Sequence, residues 1–190
     1  KLPENTSKLS LDSFTSGWGE SNTDLGYKYA LTKKTTGLLG INYFNYSNPI
    51  DNNEDGFTDL TLQDRFSVFN KLSFGNNFSL ATRFVYEDRW GGEMNWMPKY
   101  RGGDIIYGES IYTSRYEIFG NYQLNQDVSF EFSFNDHNQN SVYGTTLFNA
   151  DQTIGFGQIK WNKTLKNNDF MLGLAYRYTY YDDNTTATVN

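Results

Sequence analysis

FMLGLAYRYTY, residues 170–180, sorts its side chains by parity. Phe170, Leu172, Leu174, Tyr176, Tyr178 and Tyr180 fall on one side of an extended chain, and Met171, Gly173, Ala175, Arg177 and Thr179 on the other. Successive side chains of a strand point to opposite faces, so this is a strand with one greasy face and one mixed face. The same sorting recurs upstream. Phe78, Leu80, Thr82, Phe84 and Tyr86 oppose Ser79, Ala81, Arg83, Val85 and Glu87, and Val128, Phe130, Phe132 and Phe134 oppose Ser129, Glu131, Ser133 and Asn135. Fainter versions run through Leu25–Leu31, Leu39–Tyr43, Phe66–Phe74, Tyr112–Tyr122 and Ile159–Trp161. With a first strand near Leu9–Phe14, this predicts an all-β chain of about nine antiparallel strands.

Composition agrees. Of 190 residues, 15 are Tyr, 15 Phe and four Trp, while hydrophobic residues total only 37%, too few for a thick buried core. Seventeen Gly against three Pro favour strands and tight turns. The formal net charge of -6 excludes a phosphate-binding surface, so no nucleic-acid partner is expected. Without Cys there is neither a disulfide framework nor a thiolate metal site.

Segments of about ten residues suit tilted strands crossing a bilayer. The apolar sets carry no charge in their middles, and Lys28, Arg83, Glu131 and Arg177 lie on the opposite faces, where they would line a wet lumen. A central Arg or Lys facing lipid costs about 2–4 kcal/mol, which accounts for that placement. Tyr43, Tyr86, Tyr180 and Trp161 sit where an aromatic girdle would meet the headgroups. The connections are predicted to alternate. Short ones fall at Thr32–Thr35, Gly75–Asn77, Asn125–Asp127 and Leu165–Asp169, and long ones at Thr15–Asp24, Tyr46–Gln63, Asp88–Ser110, Asn140–Gln152 and after Tyr181. Short periplasmic turns and long extracellular loops are the habit of outer-membrane barrels, and nine strands would leave two edges for strands outside this chain. Residues 1–190 thus read as a partial β-barrel domain. A passive porin or structural barrel without a plug is the second reading, and a soluble, secreted all-β module binding calcium the third.

Two loops hold candidate sites. DNNEDGFTD, residues 51–59, offers Asp51, Asn53, Asp55, the Phe57 carbonyl and Asp59 to a hard cation such as calcium, with Gly56 at the sharp turn. Leu62 stands where a helix-loop-helix site has its bidentate Glu, and Asp64 is a substitute. An acidic turn without metal is the plainer reading. In the third long loop, Trp90, Trp96, Tyr100 and Arg101 could face a ligand, and some of them could simply pack the loop. His137, the one histidine, reads as a polar lumen or loop residue. No nucleophile–base pattern suggests an enzyme.

Taken as a set, DNNEDGFTDLTLQDRFSVFNK (51–71), YEDRWGGEMNW (86–96), RGGDIIYGESIYTSR (101–115) and YGTTLFNADQT (143–153) resemble TonB-dependent outer-membrane receptors of the cobalamin-transporter and colicin-receptor type. The resemblance implies a barrel of about 22 strands around an N-terminal plug. The plug and the remaining strands are absent from this chain. It further implies import of cobalamin, another corrinoid or an iron chelate, powered by a TonB-type energy-coupling complex in the inner membrane, with a surface lipoprotein as a further partner. Acidic outer loops that bind calcium belong to the same implication.

Overall fold

The computed structural model describes residues 7–185. Nine strands follow one another: β1 Leu9–Thr15, β2 Glu20–Thr32, β3 Thr35–Tyr46, β4 Leu62–Phe74, β5 Phe78–Gly92, β6 Gly108–Gln123, β7 Val128–Tyr143, β8 Thr146–Leu165 and β9 Asn168–Asp183. They form a single sheet in chain order, each antiparallel to the next, with β1 and β9 as edges. The sheet is not closed. A 3-10 turn at Pro98–Tyr100 is the other named element.

Register turns strand-by-strand alternation into two continuous faces. Leu25 pairs with Ile41, Ile41 with Val68, Val68 with Phe84, and Phe84 with Tyr116. Further along, Ile118 pairs with Phe134, Phe130 with Ile159, and Ile159 with Leu174. Directly paired residues share a face, so every apolar set read from the sequence lands on the same side, here called the apolar face. Towards the loop end it is bounded by Asp64, Asp88, Asp136, Asp151 and Asp182. All five strand arginines, Arg65, Arg83, Arg89, Arg115 and Arg177, stand on the other, polar face.

Among the described residues no second sheet covers either side. The buried apolar residues are only Tyr46, Leu62, Ala81, Val142 and Ala150, whereas Leu172, Leu174 and Tyr176 are 64%, 74% and 72% exposed. Asn70, the one amide within the apolar band, has a local solution. The Tyr29 ring lies flat across Gly37, where an added Cβ would come within 2.2 Å of it, and its hydroxyl accepts a 2.7 Å hydrogen bond from Asn70 Nδ2. Only a glycine lets the ring cross β3 to reach β4.

The connections correct the expected alternation. At one end all are short, namely residues 33–34, 75–77, 124–127 and 166–167. At the other, 47–61 and 93–107 are long, but 16–19 and 144–145 are tight turns. The loops expected at Thr15–Asp24 and Asn140–Gln152 are instead hairpin strands. Their Ser, Asn and Asp side chains, which mimic a turn signature, are bonded across the ladder: Ser13 to Thr23 at 3.0 Å and Asn138 to Asp151 at 2.5 Å. Gly144, with φ +60°, supplies the reversal between β7 and β8. The connection expected after Tyr181 extends past Thr185, outside the described residues.

Candidate ligand cleft between the two long loops

Loop 47–61 closes on itself through carboxylates. Asp51 accepts from the backbone N–H of Asp55 (3.2 Å) and Gly56 (2.9 Å), Asp55 from that of Phe57 (2.8 Å), and Asp59 from both nitrogens of Asn52 (2.8 Å each). Positive φ at Glu54 (61°) and Gly56 (85°) makes this winding possible. Asp51, Asn53 and Asp55 therefore share one turn, as a cation would require. Asp64 does not join them in the turn; it stands in β4 opposite Asp88. Among the described residues no three acidic or histidine side chains gather as a metal-binding set. A cation here would draw on Asn53 and the Phe57 carbonyl, and would compete with backbone N–H groups for the carboxylates.

The two long loops are stitched together. Thr58 donates its N–H to Gly92 O (2.8 Å), Met94 donates to Gly56 O (2.9 Å), and Phe57 bridges to Glu93. Loop 93–107 is then fastened to the outer ends of β6 and β7. The guanidinium of Arg101 donates to Ser110 Oγ and to the Asn140 carbonyl, both at 3.1 Å, and lies 4.5 Å from the Tyr112 ring centre. Trp96 packs flat on Gly108, its indole nitrogen buried without a partner. Tyr100 ends the 3-10 turn beneath the Lys99 ammonium, 4.8 Å away. Arg101 and Trp96 are thus committed to loop packing, one of the two roles open to them in the sequence.

What the loops leave open is a cleft of about 340 Å³, lined by Phe57, Asp59, Arg89, Trp90, Tyr107 and Glu109 among others. Of the four expected ligand residues only Trp90 reaches it. The Phe57 and Tyr107 rings meet at 6.3 Å, tilted by 57°. Tyr107 donates its hydroxyl to Glu109 (2.7 Å), and that bond, with partial desolvation and the Glu109 charge, raises the phenol above its ordinary value. Arg89 is paired to Glu87 at 2.7 Å. The cleft offers three aromatic side chains, both charges and hydroxyls, a set able to hold a polar solute without covalent chemistry. Sequence reading missed Arg89, Tyr107 and Glu109, because only the pairing of β5 with β6 brings residues 89–92 beside 108–111, and the Glu93 N–H to Tyr107 carbonyl bond extends it by one residue.

The four residues expected in a lumen, Lys28, Arg83, Glu131 and Arg177, all stand on the polar face. Arg83 pairs with Glu117, which also takes a 3.2 Å bond from Asn135, and Glu131 pairs with Lys160. His137 joins them opposite Arg115, with Nε2 buried and unpartnered. No protein-family model, curated protein or solved structure matches the chain.

Proposed function

We propose that this sheet is a stretch of wall from an outer-membrane β-barrel of the TonB-dependent transporter type, with its apolar face on lipid and its polar face on a water-filled lumen. The observation carrying the reading is sidedness: one apolar band crosses nine strands without interruption, while every strand arginine stands behind it. A soluble sheet this exposed would leave that band in water, against the ordinary limit on apolar patches. In an antiparallel barrel β1 and β9, which run the same way, join through further strands. The resemblance of the loop segments to cobalamin- and colicin-receptor sequences favours a corrinoid as cargo first and an iron chelate second. Capture falls to the cleft between loops 47–61 and 93–107, with a calcium ion in the 51–59 turn stiffening its rim. Passage then requires a plug displaced by an energy-coupling complex, and a surface lipoprotein would assist capture from outside.

Fractionation tests the reading. Cells expressing the protein that carries these residues are lysed and spun at high speed, and the outer-membrane pellet is washed with carbonate. Retention in the pellet until detergent is added is expected. Recovery in the detergent-free supernatant as a folded β protein would overturn the membrane assignment in favour of a soluble module.

A further inference from the structure

Among the rings of the polar face, three lie close together at the middle of the sheet. Phe69, Phe119 and Phe156 stand among its charges, on the side opposite the apolar band. Phe69 and Phe119 meet at 6.4 Å, and Phe119 is 41% exposed. Beside them the sheet surface dips into a recess of about 450 Å³. Its floor is Ala81, 2% exposed, the small side chain that creates the hollow. Phe119 and Phe156 form apolar walls, and Lys71, Asn121, Ser79 and Ser133 supply polar groups around them.

The charge of the recess is not neutralised from within. Lys71 forms no ion pair among the described residues. Glu131, the one carboxylate of the lining, is held by Lys160 at 2.5 Å. Asn121 accepts from the Ser79 hydroxyl through its oxygen, which leaves its amide N–H groups free to donate. A spare ammonium, a spare amide donor and two rings over a flat floor are complementary to an anion carried on a planar apolar group.

We propose that this recess binds a small aromatic carboxylate, its ring against Phe119 and Phe156 and its carboxylate at Lys71 and Asn121. The proposal rests on the reading that the polar face meets water, and it gives that face a solute class of its own, small anionic aryl compounds, apart from whatever the loop cleft captures. Binding of 4-fluorobenzoate to the detergent-solubilised protein, followed by ¹⁹F line broadening against a detergent-only blank, tests it. Saturable broadening is expected, with 4-fluorobenzyl alcohol and fluoroacetate binding at least about 5-fold more weakly. Lys71→Gln, a surface change that keeps the stem, should remove the preference for the acid over the alcohol. Phe119→Ala should weaken both, and Phe57→Ala, in the loop cleft, neither. Absence of saturable binding, or an unchanged acid preference in Lys71→Gln with a wild-type circular dichroism spectrum, overturns the recess. Membrane retention with no benzoate binding would defeat this proposal alone, and benzoate binding by a soluble protein would defeat the membrane reading alone.

Discussion

Tyr29, Gly37 and Asn70 show how single residues keep an apolar face intact. An amide without a partner would cost several kcal/mol if that face meets hydrocarbon, and the Tyr29 hydroxyl supplies the partner by reaching over the bare Cα of Gly37. Gly37→Val would lift the ring off β3 and strand Asn70. The expected loss is about 1–3 kcal/mol of unfolding free energy, read by urea titration, with Asn70→Val in the same background restoring most of it. Absence of that rescue would mean the ring contact alone mattered. The 51–59 turn makes a second residue-scale case. Asp51 already accepts two backbone N–H groups, so calcium has to add to a formed turn and not build one. Millimolar calcium is expected to slow proteolysis within 47–61 several-fold relative to chelator. Asp51→Asn keeps an acceptor for the turn but drops the charge, and should abolish the difference. Equal cleavage rates with and without calcium in the unsubstituted protein would retire the cation.

At the scale of elements, the alternation of apolar residues located every strand, because parity survives any uncertainty in where a strand ends. Ends were another matter. Asn138, Asn140, Asn149 and Asp151 have the composition of a loop, yet they pair Asn138↔Asp151 and Asn140↔Asn149 across a two-residue turn. What decides is the partner across the ladder, and no local window contains it. The two genuine loops were legible because 47–61 sets Pro49 and a cluster of acidic residues around Gly56, 93–107 carries Pro98 and the Gly102–Gly103 pair, and neither holds a run of period two. Hydrogen exchange separates the two kinds of segment. Amides of Ser141 and Phe148, in the β7–β8 ladder, should exchange at least ~100-fold more slowly than those of Asn53 or Gly103, in the loops. Exchange of Ser141 at loop rates would restore a long connection there. The cleft was only half legible for the same reason. Trp90 stands out in any reading, but Arg89, Tyr107 and Glu109 become neighbours only through the β5–β6 register.

The molecule as a whole is one layer thick, and its stability therefore depends on what covers its faces. Leu174 makes this measurable. It is 74% exposed on edge strand β9, beside Ile159, which is 43% exposed, so within the chain it has little to lose by substitution. In water, Leu174→Arg would change stability by less than about 0.5 kcal/mol, the ordinary scale for an exposed position. Against hydrocarbon, the same change near the bilayer midplane costs about 2–4 kcal/mol. Ala175→Arg places the same charge one residue away, on the polar face beside Gln158, and serves as the control. The expected outcome is a large loss for Leu174→Arg and a small one for Ala175→Arg when folding into vesicles is followed by urea titration. Similar small losses at both positions would mean that water, not lipid, lies on each side of the sheet. The confinement of every strand arginine to the polar face would then need a different cause.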